Sequence, residues 1–108
     1  MSDKLIVNFD DSYFGGKTLF TGRQNGKKAK THFQIKNADF FIIKANADQV
    51  ITSSYFLGLL SEELMALLKK LNSINELIDR VDTSSLNEVS KNECIRAIRR
   101  GLADNELI

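Results

Sequence analysis

The chain reads as a small α/β layer, with a mostly parallel or mixed sheet of about 3–4 strands and helices packed on it. Three observations predict this. Phe40-Phe41-Ile42-Ile43 is an uninterrupted apolar run, the pattern of a strand buried on both faces in a parallel sheet, and it is the best candidate for the central strand. Leu57, Leu60, Leu64, Leu67, Leu68 and Leu71 step by three and four, as a core-facing helix requires. Strand-like and helix-like stretches alternate with short connections, which favours at least some parallel pairing.

The elements follow in order. Leu5-Ile6-Val7 opens a strand that Asp10-Asp11-Ser12 and Gly15-Gly16 stop with turn chemistry. Lys17-Thr18-Leu19-Phe20 fits a second short strand and an extended lead-in equally well. From Thr21 to about Lys36 a polar, basic helix is predicted, with Ala29 and Phe33 on one face; Gly26 costs it about 1 kcal/mol relative to Ala. After the Phe40–Ile43 strand, Ser53 or Ser54 can cap the leucine-rich helix, because a hydroxyl oxygen there accepts from an unpaired first-turn amide. Leu77-Ile78-Asp79-Arg80-Val81 reads as a weaker third strand. Ser85-Leu86-Asn87-Glu88 matches a capping box, after which Val89, Ile95, Ile98 and Leu102 predict a final helix.

Size and charge bound the function. The 108 residues, 43% of them hydrophobic, fit one domain spanning 1–108. Lys plus Arg number 15 against 14 Asp plus Glu, a net charge of +1 that gives no global field for nucleic acid or acidic lipid. Single Cys94 and single His32 preclude an internal disulfide and a histidine metal cluster, so a reducing cytoplasmic setting with no metal or cofactor is expected. Met1-Ser2-Asp3-Lys4 precedes only three apolar residues, short of the roughly 7–15 of a signal peptide core, and no stretch approaches the ~20 that span a membrane.

Catalytic chemistry finds little support. Ser53 and His32 would form a nucleophile and base only by tertiary accident. Cys94, beside Glu93 and between apolar positions, reads as a buried structural thiol rather than an activated thiolate. Asp10, Asp11, Asp39 and Asp48 near strand ends read as turn residues before they read as an oxygen cage. Gly22-Arg23-Gln24-Asn25-Gly26-Lys27-Lys28 lacks the spacing of a phosphate-binding loop. A non-enzyme is expected.

Two local features remain. Lys17, Arg23, Lys27, Lys28, Lys30 and Lys36 occur with no acidic residue between Asp11 and Asp39, which makes a locally positive face, most simply a solvated one. Few aromatics interleave with it, which argues against nucleic acid. Arg96, Arg99 and Arg100 lie near the end of the final helix, where cations meet the helix dipole favourably. The second feature is Thr52-Ser53-Ser54 at the mouth of the central helix. Adjacent Tyr55 and Phe56 are expected to leave one aromatic ring exposed at a protein interface.

Here a resemblance enters. FFIIKANADQVITSSYFLGLLSEEL resembles the core of a STAS domain, the fold of bacterial anti-sigma-factor antagonists, in which a buried strand leads into an Asp-Ser-Ser-Gly-Leu type helix start. It is more similar still to STAS-like families of unassigned function, through Val50-Ile51-Thr52-Ser53-Ser54-Tyr55 and, upstream, Thr21-Gly22-Arg23. The likeness covers roughly residues 15–100. It implies a prokaryotic regulator whose helix-start serine, here Ser53 with Ser54 beside it, is phosphorylated by a partner ATPase or kinase of the GHKL type. Thr52 and Tyr55 would shape the contact surface, and Arg23 would contribute charge. In this chain Thr52 stands where the antagonists usually have Asp, Tyr55 where they have Gly, and Leu57 and Gly58 replace acidic positions.

The expected function is therefore regulation by docking, with a possible Ser53 or Ser54 phosphate switch. The alternatives are a ligand- or nucleic-acid-binding module using the basic face from Lys17 to Lys36, and one half of a toxin–antitoxin or phage-defence pair.

Overall fold

The structure, a computed structural model, describes residues 3–10, 14 and 16–102. Its elements are β1 (Lys4–Asn8), β2 (Leu19–Phe20), α1 (Arg23–Phe33), β3 (Phe40–Lys44), β4 (Val50–Ile51), α2 (Ser53–Leu71), α3 (Ile74–Asp79), β5 (Val81–Ser85) and α4 (Glu88–Arg96), which continues as a π-helical turn over Ala97–Leu102. The chain is α/β, as the alternation of apolar patterns predicts. Asp11, Ser12 and Gly15 lie outside the described residues.

The main sheet runs β1-β3-β5 with both pairings parallel, so the Phe40–Ile43 run is indeed its central strand. The expectation that both faces of this strand are buried is not met. Phe41 and Ile43 are fully buried with Leu5, Val7 and Val81, whereas Phe40 and Ile42 are half-buried and Ile6 is 54% exposed. The helices pack on one face, and among the described residues no element covers the other. An apolar run cannot distinguish a strand buried twice from one whose second face is left open.

β2 and β4 form a separate parallel pair, Leu19 beside Val50 and Phe20 beside Ile51. The Lys17–Phe20 segment is thus a strand, two residues long. Around Phe9, the rings of Phe14, Phe20, Phe33, Tyr55 and Phe56 gather with centroids 4.9–6.5 Å away. Such offset and edge-on pairs each add about 0.5–1.5 kcal/mol beyond burial.

This cluster explains a correction. Tyr55 and Phe56 are both only 2% exposed, although adjacent on a helix. α2 is enclosed on several sides, its first turn lying under α1. The close approach is made at two glycines: a Cβ on Gly26 would strike the Tyr55 carbonyl and the Leu59 amide, and one on Gly58 would strike the Arg23 carbonyl. Gly26 lowers the helical propensity of α1 because backbone contact with α2 leaves no room for a side chain there.

Two further boundaries differ from expectation. Residues 77–79 are helical rather than extended: Ser73 caps α3, its Oγ accepting from the Glu76 amide at 3.2 Å, and the strand is Val81–Ser85. Leu77 and Val81, both buried and four apart, satisfy either reading of the sequence. Ser85 closes β5 instead of opening a capping box; the cap of α4 is Asn87, whose side chain accepts from the Ser90 amide at 2.8 Å. The buried stripe that follows is Ser90, Cys94, Ala97, Ile98 and Leu102, and Val89 is 55% exposed.

Candidate functional site

The first turn of α2 is held from two sides. Thr52 is extended (φ −84°, ψ 160°) and occupies the cap position, but its side chain takes no backbone amide of the helix. Its amide and hydroxyl both donate to the Phe20 carbonyl, at 3.0 and 3.2 Å. Ser53 and Ser54 are the first two helical residues and not the cap. The capping acceptor comes from α4 instead: Glu93 Oε1 takes the Ser53 amide at 3.0 Å. A carboxylate at this point also answers the positive end of the helix dipole, since the first turn of α2 has no acid of its own.

The two serines therefore face different neighbours. Ser54 is exposed, and its Oγ accepts from the Gly22 amide at 3.3 Å and lies 3.3 Å from Thr52 Oγ1. Gly22 is the cap residue of α1, which likewise has no acid in its first turn. Ser54 Oγ thus sits where the N-terminal ends of two helices meet. Ser53 is half-buried and faces α4. With Leu57, Arg96, Ala97, Arg100 and Gly101 it lines a shallow hollow of about 210 Å³, in which Arg96 lies 3.6 Å from Glu93. Two of the arginines assigned from sequence to helix capping therefore flank this serine.

Beneath the corner lies a buried polar network that sequence reasoning missed. Gln49, 4% exposed, donates through Nε2 to the carbonyls of Phe9 (2.8 Å) and Lys17 (3.2 Å), and its Oε1 accepts from the Asn46 amide at 2.7 Å. The Gln49 carbonyl receives Asn87 Nδ2 at 2.8 Å and the Ser90 hydroxyl at 3.1 Å; Ser90 Oγ in turn accepts from the Ile51 amide at 3.0 Å. The β3–β4 connection and the start of α2 are thereby tied to α4. A Gln in a polar loop gives no sequence signal of such a role.

The remaining predicted residues fall as follows. Arg23 is exposed at the start of α1, close to Ser54's side of the corner. Tyr55 is buried in the aromatic cluster, so it is not the exposed ring expected at an interface. Of the basic face, Lys17, Lys27 and Lys28 are exposed, but Lys30 is turned inward. Its Nζ donates to Glu63 at 2.7 Å and to the Leu59 carbonyl at 3.1 Å, because α1 and α2 pack closely enough to face a lysine with an acid across the seam. Asp10 accepts from Asn46 Nδ2 and Asp39 from the Asp3 amide. Among the described residues no three His, Cys, Asp or Glu side chains are grouped to hold a metal ion. Burial pushes the Cys94 thiol up to about 12, the opposite of an activated thiolate.

No helix among the described residues is long and apolar enough to cross a membrane. Comparison with protein-family models, with curated proteins and with solved structures finds no match for this chain.

Proposed function

We propose that this chain is a non-enzymatic regulatory module of the STAS-like kind, which docks a protein partner with the corner where α1 and α2 begin. Ser54 is the phospho-acceptor of that corner, and the partner is an ATPase or kinase of the GHKL type in a prokaryotic cytoplasm. The observation that carries the reading is the setting of Ser54: exposed, at the meeting of two helix N-termini, with no acid in either first turn. A phosphate there would meet the positive end of α1, which has no acid of its own, and the neighbouring Arg23, beside an α2 end that Glu93 already answers. Ser53, the position that the family resemblance favours, is the poorer acceptor, because it is half-buried and Glu93 holds its amide; Arg96 and Arg100 flank it, but Arg96 is already 3.6 Å from Glu93.

Intact-mass analysis after incubation with a GHKL-type kinase and Mg-ATP tests this. One phosphate is expected on the unsubstituted chain and on Ser53→Ala, and none on Ser54→Ala. An unmodified chain, or modification that survives Ser54→Ala, sinks the acceptor assignment.

A second reading uses the basic face. Lys17, Lys28 and Asn25 border a small hollow of about 180 Å³ beside Phe14, a setting open to an anionic ligand or nucleic acid. Binding there should weaken steeply with salt. A subunit of a toxin-neutralising or phage-defence pair would use the same docking logic as the first reading.

A further inference from the structure

β1 and β5 are the two edges of the main sheet, and they are unlike. Along β5 the pairing slips between Ile42 and Lys44. The Asp82 carboxylate takes the Ser84 amide at 2.9 Å and its hydroxyl at 2.6 Å, and the Thr83 carbonyl is used by the Leu86 amide at 3.0 Å. A bulge, an outward charge and a consumed acceptor all discourage further strand pairing.

β1 is less protected: it carries an edge lysine, Lys4, and an Asn8 side chain that takes the Asp10 amide at 3.0 Å, but no bulge and no acid. It pairs with β3 without a slip from Lys4 to Asn8 and reads Lys-Leu-Ile-Val-Asn. The Phe40 amide donates to the Asp3 carbonyl and the Phe9 amide to the Lys44 carbonyl, so the odd-numbered residues address β3. Alternate residues of a parallel edge point their backbone the other way. The amides and carbonyls of Lys4, Ile6 and Asn8 therefore face outward, and the side chains of the same residues lie on the uncovered face beside Phe40 and Ile42.

The geometry points to antiparallel pairing of β1 with β1 of a second copy, about a two-fold axis at Ile6, which joins two three-stranded sheets into one. In that register Lys4 lies opposite Asn8 and Leu5 opposite Val7. Each Ile6 exchanges main-chain bonds with its counterpart, and each Lys4 with the facing Asn8. The two exposed Ile6 side chains meet, and the apolar stripe of Ile42 and Ile6 runs unbroken from one copy into the next. Charge permits it: the two Lys4 residues are about 14 Å apart along the strands at ~3.4 Å per residue, beyond the screening length of about 8 Å at physiological salt. A parallel sheet extended by an antiparallel edge is a common mixed arrangement.

Sedimentation equilibrium on the full chain tests the pairing, with Ile6→Lys, Ile6→Pro and, as control, Leu19→Lys at another exposed apolar position. Proline at an edge strand removes only an outward amide, and lysine at an exposed site leaves the core intact, so both variants should keep the far-ultraviolet circular dichroism of the parent. The expected result is a two-chain mass for the unsubstituted protein and Leu19→Lys, with dissociation constants raised at least tenfold by both Ile6 substitutions. A one-chain mass at protein concentrations up to about 1 mM overturns the proposal and leaves this edge to a strand from another protein. A dimer indifferent to both Ile6 substitutions overturns it by placing the contact elsewhere.

Discussion

Glu93 on α4 accepts the Ser53 amide at 3.0 Å across a sequence separation of 40 residues. The first turn of α2 therefore depends on a helix that forms at the other end of the chain. Replacing Glu93 with Ala removes the acceptor and the favourable charge together, and should lower stability by about 1 kcal/mol in a urea titration. Glu93→Gln should recover part of that loss.

The same contact separates the two serines in a measurement that needs no kinase. Ser53→Glu places a second carboxylate against Glu93 and is expected to lower the melting temperature. Ser54→Glu places one where α1 begins with no acid of its own, beside an α2 end that Glu93 already answers, and is expected to be neutral or stabilising by about 0.3–1 kcal/mol at low salt. The reverse order would show that the α1–α2 corner does not favour charge at Ser54.

Gly26→Ala ordinarily strengthens a helix by about 1 kcal/mol. Here the added methyl meets the Tyr55 carbonyl and Leu59 amide, and at Gly58 the Arg23 carbonyl. Both substitutions should destabilise by about 1–3 kcal/mol, the range of overpacked cores. Far-ultraviolet circular dichroism against temperature reads the sign directly.

Gln49→Leu keeps the volume but strands the Phe9 and Lys17 carbonyls and the Asn46 amide. A loss of about 2–3 kcal/mol is expected, since each buried group left unpaired costs about 1–3 kcal/mol and surface relaxation recovers some of it. Hydrogen exchange should report the loss first in the segment from Asn46 to Ile51.

Cys94 makes alkaline stability measurable. Its folded-state pKa, about 12, lies above the ordinary value of 9.0. The unfolded chain releases this proton from about pH 9 while the folded chain keeps it, so the contribution is complete below pH 9 and is lost as the pH rises towards 12. The difference between melting curves of the parent and Cys94→Ala should shrink over that window, and the native thiol should resist alkylation at neutral pH.

How much of this was legible beforehand follows from the range of each interaction. The Phe40–Ile43 run and the leucine spacing of α2 are local patterns, and both elements form where they are read. The same run also predicted a second covered face, because hydrophobicity records that a residue avoids water without saying which neighbour shields it. Leu77 and Val81 fit a helical turn as well as a strand, and the decision fell to Ser73, an acceptor four residues before Leu77. Nothing in a run of lysines marks Lys30 as the one facing Glu63. The serine corner was found as a position, but its division between Glu93 and Gly22 depends on chain segments tens of residues away.

The backbone contact at Gly26 and Gly58 has a mechanical consequence for the corner. Two helices locked main chain to main chain share their motions, and neither can slide or rotate without dragging the other. A charge added at Ser54 therefore acts on what approaches the surface and leaves the shape beneath it unchanged. A partner would sense repulsion or attraction at a rigid doorway, and control would lie in who is admitted.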